Sequence, residues 1–254
     1  MIQPRVIPCL LLKGQGLVKT VKFKDPKYLG DPINIVRIFN DKEVDEIVLL
    51  DITATPENRG PQFDRLKDIA SEAFIPLAYG GGIRSMDDVR TLLSIGIKKL
   101  IMNTASFENP SLLRDAADHA GSQAVVVSID VKKNFLGKYE VFTRCGQKKT
   151  GIDPVMHALE MEKMGAGEVI INSIDRDGVM QGYDLDLVQR VADAVNVPVV
   201  ACGGAGNLQH IADVIKEGHA SAAAAGSLFV FQGPLRAVLI NYPAPKDLRH
   251  LLEK

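Results

Sequence analysis

Carboxylates that close apolar runs are the first candidates for chemistry in this sequence. Asp130 ends the run AVVVSID, Asp51 ends IVLLD, and Asp175 and Asp177 stand in the glycine-containing stretch SIDRDGVMQGY. A carboxylate in a partly dry site can have a raised pKa and transfer protons. Asp51 can equally be a structural cap, and one of the loop aspartates can simply make turn hydrogen bonds. No histidine stands at a predicted strand end, so we expect neither histidine chemistry nor a metal or other cofactor.

Loops of small residues predict anion binding. Glycine lets the backbone approach an anion closely, and free N–H groups at a helix start complete the contact. A single loop of this kind can be no more than a tight turn, but two pairs on opposite sides of one mouth suit a ligand with two phosphates. The predicted phosphate-binding residues come from GGGI, NTAS, GGAG and AGS, and they are Gly81, Gly82, Asn103, Thr104, Gly203, Gly204, Ala225, Gly226 and Ser227.

The elements that must position these residues alternate along the whole chain as strand-like and helical stretches. Helix starts are expected at Ser85, Asn109, Asp153 and Asn207, and glycines follow the helix ends. Eight strands of parallel type in 254 residues predict an α/β fold, a single (β/α)8 barrel over residues 1–254. After the fifth strand, VKKNFLGKYEVFTRCGQKKTG predicts an inserted β-hairpin.

The two halves of the chain resemble each other. YGGGIRSMDDV echoes CGGAGNLQHIADV, MNTASF echoes AAGSLF, and Glu46 before one strand echoes Glu168 before another. The offsets are all close to 122 residues. A single offset shared by several features predicts duplicated half-barrels, approximately residues 1–122 and 123–254.

Composition and charge exclude several classes of partner. The formal net charge is −1, which provides no basic footprint for nucleic acid. No apolar stretch approaches the roughly 20 residues that span a bilayer, and the N-terminus does not resemble a signal peptide. The three cysteines are far apart in the sequence, so we expect a cytoplasmic protein with reduced thiols. A local basic cluster suits either a phosphorylated substrate or a solvated loop, and consists of Lys19, Lys22, Lys24 and Lys27.

Eight motifs together resemble a known family over nearly the whole chain, in order and spacing. They are RVIPCL, GDPI, DEIVLLDITA, YGGGIRS, NTASFENPSL, GSQAVVVSID, INSIDRDGVMQGYD and ACGGAGN. They resemble the cyclase (synthase) subunit of imidazole glycerol phosphate synthase, a HisF-like lyase of histidine biosynthesis. The resemblance implies a heterodimer with a HisH-like glutaminase docked on the N-terminal face of the barrel. It also implies that ammonia crosses the barrel core to a bisphosphorylated substrate, on which two aspartates act as acid and base.

The resemblance assigns roles to individual residues. The second catalytic aspartate matches Asp130, and the mobile loop at the mouth matches the segment that contains Lys19. The charged ring that guards the ammonia entrance is complete, although a purely structural ring of salt bridges remains an alternative. Its four members are Arg5, Glu46, Lys99 and Glu168.

The residues around the reacting centre depart from the family. Leu11 stands where the first catalytic aspartate is expected, and leucine neither donates nor accepts a proton. Small hydroxyl residues of the family are replaced by Ile101, Asn172 and Cys202. General acid–base catalysis contributes about 10²–10⁴-fold, so the family's cyclisation should be strongly impaired.

Three hypotheses follow from this mixture. The first is a paralogue that keeps the glutaminase and ammonia but serves another phosphorylated acceptor, in amidation of a sugar for surface polysaccharide (lipopolysaccharide O-antigen), with or without a separate sugar amidotransferase. The second is a genuine cyclase, in which Asp130 acts alone or with Asp51 or Asp175. The third is a non-catalytic scaffold that activates the glutaminase, which would have no need for phosphate loops.

Overall fold

A closed sheet of eight parallel strands forms the centre of the computed structural model, which describes residues 4–253. Each strand pairs with the next around the ring, and the last pairs with the first. In chain order the barrel strands are β1 (Arg5–Lys13), β4 (Ile47–Asp51), β5 (Leu77–Gly80), β6 (Lys99–Met102), β7 (Val125–Lys133), β10 (Glu168–Ser173), β11 (Val199–Cys202) and β12 (Ala222–Ala225). The prediction of a (β/α)8 barrel is confirmed.

Helices surround the sheet and follow its strands. They are α1 (Pro32–Asp41), α2 (Phe63–Ser71), α3 (Met86–Ser94), α4 (Thr104–Glu108), α5 (Pro110–Ala120), α6 (Pro154–Lys163), α7 (Leu185–Ala192), α8 (Leu208–Lys216), α9 (Ser227–Val230) and α10 (Pro245–Glu253). No helix in residues 4–253 is long and apolar enough to cross a membrane.

All four predicted helix starts are confirmed, and three of the four N-cap residues also cap with their side chains. The side chains of Ser85, Asp153 and Asn207 accept backbone N–H bonds at the starts of α3, α6 and α8, as N-caps do. Asn109 occupies the corresponding position before α5, but its side chain makes no such bond. Its carboxamide oxygen instead accepts a hydrogen bond from the Ser111 hydroxyl at 2.8 Å, so Asn109 is the N-cap residue by position without a side-chain bond to the helix backbone.

Six further strands extend the loops at the carboxyl ends of the barrel strands. The predicted hairpin after β7 is present, and its returning strand β8 pairs antiparallel with β7. A second extension was expected to be a loop, but its two strands form an antiparallel hairpin beside β1. The additional strands are β2 (Gly16–Val21), β3 (Lys24–Gly30), β8 (Tyr139–Thr143), β9 (Lys148–Lys149), β13 (Phe231–Gln232) and β14 (Ala237–Val238).

The turn between β2 and β3 explains why this hairpin was missed. Lys22 and Phe23 connect paired Val21 and Lys24, and both have positive φ, at 52° and 62°. Two-residue hairpins of this geometry usually contain Asn-Gly or Asp-Gly, because those residues tolerate positive φ. With Lys-Phe in the turn, the usual sequence signal for a hairpin is missing.

Side chains of the barrel strands alternate between two separate cores. Leu10 and Leu12 are almost completely buried between the sheet and the helices. Leu11 belongs to the second core, inside the barrel, with Ile7, Cys9 and neighbours from the other strands. The separation follows from the period of two along a strand, which sends successive side chains to opposite faces.

The two faces of β1 should respond differently to truncation. Leu12→Ala should lower the free energy of unfolding by about 2–5 kcal/mol, because it opens a closed void against the helices. Leu11→Ala should cost clearly less, because Leu11 borders an open cavity. Urea denaturation of the two variants measures both values, and an equal or larger loss for Leu11→Ala would contradict the assignment of faces.

Candidate active site

A cavity of about 550 Å³ opens at the carboxyl ends of the barrel strands. Small side chains and glycines at the strand ends leave this space, whereas the strand starts are closed by larger charged groups. Nearly all of the acid–base and phosphate-binding residues that the sequence predicts line the cavity: Asp51, Gly81, Gly82, Asn103, Thr104, Asp130, Gly203, Gly204, Ala225, Gly226 and Ser227. Asp175 does not, and its Oδ2 instead accepts a hydrogen bond from the Lys133 backbone N–H at 3.1 Å.

Asp130 is one of the buried carboxylates of this cavity. Asn103 Nδ2 donates to Asp130 Oδ2 at 3.2 Å, and Asn172 Nδ2 donates to Asp130 Oδ1 at 3.2 Å. Burial raises the pKa of Asp130 from 3.8 to about 7, with a further contribution from the charge of Asp177, although the Asn172 hydrogen bond acts in the opposite direction. A carboxyl group that titrates near neutral pH can serve as an acid or a base.

Leu11 lies across the barrel from Asp130. Their strands, β1 and β7, are separated by three strands in each direction around the ring. Both side chains line the same cavity, so the position facing Asp130 is apolar rather than ionisable. Among the described residues that line the cavity, the other carboxylates belong to Asp25, Asp51 and Asp177.

Asp51 is held in local hydrogen bonds. Its Oδ1 accepts from the backbone N–H groups of Thr53 and Ala54 at 3.0 and 3.1 Å. The same oxygen accepts from Arg59 Nη2 at 2.9 Å. This pattern organises the loop that follows β4, and it supports the alternative of a structural cap over a role in proton transfer.

Asp177 ties the β2–β3 hairpin to the loop that follows β10. Lys19 Nζ lies 2.5 Å from Asp177 Oδ1, and the Thr20 hydroxyl donates to Asp177 Oδ2 at 2.7 Å. The Lys22 backbone N–H adds a bond to the Asp177 carbonyl at 2.9 Å. Lys19 is thereby almost completely buried beside Gly226, in the wall of the cavity, and the Asp177 carboxylate is already paired.

Glycines in two of the four small-residue loops, GGGI and GGAG, are required by the fold itself. Gly81 has a φ of +124°, and a methyl group there would lie 2.5 Å from the Asp51 carbonyl oxygen. Gly204 has a φ of +125°, and a methyl group there would overlap the Gly182 carbonyl. Substitution at either position would therefore strain the backbone before it reported on any bound anion.

The opposite end of the barrel carries the four predicted gate residues in one network. Arg5 contacts both Glu46 and Glu168, with Arg5 Nη1 2.5 Å from Glu46 Oε2. Lys99 Nζ lies 2.9 Å from Glu46 Oε2 and 3.1 Å from Glu168 Oε1. Partial burial alone would lower the pKa of Arg5, but Glu168 and Glu46 raise it above its ordinary value. The result is a closed ring of alternating charges at the strand starts.

Asn172 and Cys145 are cavity residues that were not among the predicted site residues. Asn172 was identified only as a departure from the family, yet its pairing opposite Asp130 on the adjacent strand brings the two side chains together. Cys145 reaches the cavity from the turn between β8 and β9. Burial raises the pKa of its thiol to about 12, with smaller contributions from Asp130 and Asp51. Neither contact follows from sequence spacing, because each depends on the pairing of separate strands.

Residues 5–235 match the family model described as "Histidine biosynthesis protein". The chain is 51% identical over 243 residues to the "Putative imidazole glycerol phosphate synthase subunit hisF2" of Pseudomonas aeruginosa, covering 96% of this chain and 97% of the relative. It is 46% identical over 254 residues to the "Putative imidazole glycerol phosphate synthase subunit hisF3" of Vibrio vulnificus, covering 100% and 98%. It is also 47% identical over 229 residues to the "Imidazole glycerol phosphate synthase subunit HisF" of Alkaliphilus metalliredigens, covering 90% and 91%.

Removal of the Asp130 carboxyl should change how stability depends on pH. A folded-state pKa raised to about 7 gives a stabilising contribution that is present below pH 4 and is lost as pH rises through 7. Asp130→Asn lacks this loss, so its free energy of unfolding should rise relative to the wild type by about 2–3 kcal/mol between pH 5 and pH 8. Urea denaturation across this range is the measurement, with Asp175→Asn as the variant outside the cavity. Parallel curves for wild type and Asp130→Asn would contradict the raised pKa.

The charge ring should contribute to stability as a partly buried network. Glu168→Gln removes a charge that Arg5 and Lys99 share, and we expect a loss of about 1–3 kcal/mol. Asp87→Asn breaks an exposed pair with Arg90 and should cost less than about 1 kcal/mol. Denaturation midpoints of the two variants test the difference, and equal losses would show that the ring adds nothing beyond a surface pair.

Proposed function

The chain belongs to the HisF-like family of imidazole glycerol phosphate synthase subunits, and on this basis we propose that it passes ammonia from a partner glutaminase to a phosphorylated acceptor other than the one the family cyclises. The acceptor in this proposal is a phosphorylated sugar for surface polysaccharide. Amidation takes place in this cavity or in a separate amidotransferase that receives the ammonia.

The observation that carries the proposal is the apolar Leu11 opposite Asp130. A reaction that needs an acid and a base at once requires two ionisable groups, and the family resemblance places the second at position 11. Asp51 and Asp177 are engaged with Arg59 and Lys19, which leaves them poorly suited to replace it. The loss of one acid–base partner corresponds to about 10²–10⁴-fold in rate.

The entrance end supports a continued role in ammonia handling. The charge ring is complete, and above it the barrel core is lined by apolar side chains that include Val48, Ile101, Val126 and Ile170. Such a lining favours neutral ammonia over ammonium, because moving a bare charge into an apolar interior is costly.

The mouth supports a phosphorylated acceptor. The four small-residue loops lie on the cavity wall, and Lys19 is held beside Gly226 within the same wall. A phosphate bound there would compete with Asp177 for the Lys19 ammonium group. A scaffold that only activates the glutaminase would not need an open cavity of about 550 Å³ with a buried lysine in its wall, so we favour a ligand-binding role over that alternative.

Cyclisation of the histidine-pathway substrate is the second candidate, favoured by Asp130 alone. Its neutral-range pKa and its contact with Asn103 retain one proton-transfer group in a suitable environment. This candidate requires a substantial rate from a single carboxyl group. Genomic position separates the two candidates cheaply, since neighbouring polysaccharide genes favour the first and a histidine operon favours the second.

Direct turnover tests the proposal. Given ammonia and the authentic histidine-pathway substrate, the wild-type barrel should form imidazole product at least about 100-fold more slowly than a family member with both aspartates. Leu11→Asp, which restores the second carboxyl group, is the matched variant and should increase the rate. Turnover by the wild type within tenfold of the two-aspartate enzyme would contradict the proposal and favour the cyclase.

A further inference from the structure

The two polar atoms of the Asn172 side-chain amide differ in their hydrogen bonding: the nitrogen has a partner and the oxygen has none within the described part of the chain. Its side chain is 6% exposed and lines the cavity. Asn172 Nδ2 donates to Asp130 Oδ1, whereas no donor from the described residues reaches Asn172 Oδ1. A buried acceptor without a partner costs free energy, so such an atom in a cavity wall points to a ligand that donates a hydrogen bond.

The amide orientation is determined by Asp130. If the amide were reversed, Asn172 Oδ1 would face the carboxylate oxygen and two acceptors would repel each other. The carbonyl oxygen is therefore directed away from Asp130, towards Gly203 at the start of the next loop. Donor and acceptor thus have separate tasks, since Nδ2 holds Asp130 while Oδ1 is left without a donor among residues 4–253, buried beside Gly203 in the wall of the cavity.

The position of Asn172 along the barrel axis indicates which donor would arrive there. On β10 the inward side chains are Glu168 in the charge ring, then Ile170 in the apolar core, then Asn172 at the cavity. Asn172 is consequently the first polar side chain that this strand offers to a small molecule leaving the core. The family's small hydroxyl group at this position would not reach as far into the cavity as a carboxamide.

We propose that Asn172 is a positioning residue that receives the nitrogen: Oδ1 accepts an N–H of the ammonia that leaves the barrel core, while Nδ2 holds Asp130 beside it. This inference rests on the proposed ammonia transfer and names the group that binds ammonia at the end of its path. The nitrogen is then held between a neutral acceptor and a carboxylate, and an ionised Asp130 binds its protonated form as well.

Ammonium itself is the probe, because it has N–H donors and needs neither glutaminase nor acceptor. Ammonium chloride should raise the denaturation midpoint of the wild-type barrel above the values in equal concentrations of potassium chloride and tetramethylammonium chloride, which have no N–H donors. The difference should grow as pH rises from 6 to 8, because Asp130 ionises with a pKa near 7.

Two variants separate the acceptor from the donor. Asn172→Leu removes both atoms and should weaken ammonium binding at least tenfold. Asn172→Asp keeps an acceptor oxygen and removes the donor, so the ammonium-specific shift should persist. An unchanged shift in Asn172→Leu, or no ammonium-specific shift in the wild type, would overturn the assignment.

A measurement on the wild-type protein removes any dependence on the folding of the variants. The side-chain amide signal of Asn172 in a ¹H–¹⁵N spectrum, identified by its loss in Asn172→Asp, should shift with ammonium and not with potassium. A signal that does not respond, while ammonium still stabilises the protein, would place the nitrogen elsewhere. Because these tests use only the barrel and ammonium, their failure leaves the turnover result unaffected, and failed ammonia transfer does not alter them.

Discussion

Closure of eight parallel strands into a ring is the constraint on which the rest of this structure depends. Closure turns one face of every strand towards a shared axis, so that residues far apart in the chain meet in layers. The strand starts bring Arg5, Lys99 and two glutamates into one ring, and the strand ends bring Asp130 and the glycine loops around one cavity. Between these layers, the apolar core inside the barrel separates the charge ring at the strand starts from the polar mouth at the strand ends.

The electrostatics of the mouth follow from this arrangement. Asp130 lies where the apolar core ends, so burial opposes its ionisation, and the amide donors of Asn103 and Asn172 compensate only in part. The buried carboxylates of Asp51 and Asp177 have cationic partners, Arg59 and Lys19, that keep them in structural roles. Among the described residues of the mouth, Asp130 is therefore the buried carboxyl group without a cationic partner, and Leu11 stands where the family resemblance expects a second one. The ring at the strand starts has no such loss, and on this difference between the two ends of the barrel we base the proposal of a changed reaction with a retained source of nitrogen.

Much of this could be predicted from sequence because the relevant signals are local. The alternation of apolar strands with capped helices determines the barrel, and the period of two in CLLL places Leu11 on the opposite face from its neighbours. The glycine loops could be located because positive φ at Gly81 and Gly204 leaves a trace in residue type. The family resemblance supplied the charge ring, whose geometry the structure then shows as a closed network.

The missed features depend on contacts between distant segments. The β2–β3 hairpin turns at Lys-Phe and is held by Asp177, which is 158 residues from Lys19. The pairing of Asn172 with Asp130 depends on the register of two adjacent strands. No signal in the composition or the spacing of the sequence predicts that the Asn172 oxygen is without a partner among the residues that the structure describes. The position of Asp175 outside the cavity is likewise accompanied by a contact with a distant segment, its hydrogen bond to the Lys133 backbone. Such contacts are set by the folded arrangement, and residue type alone does not reveal them.

The central claim is that this barrel keeps the family's fold and entrance but no longer performs its cyclisation. Genetic complementation tests it most directly, because growth without histidine requires the complete reaction in the presence of a functioning glutaminase. A bacterial strain that lacks only its cyclase subunit should not grow without histidine when it expresses this chain with its partner glutaminase, although the protein accumulates in folded form. Growth comparable to that given by a two-aspartate family member would contradict the claim and establish the chain as a cyclase.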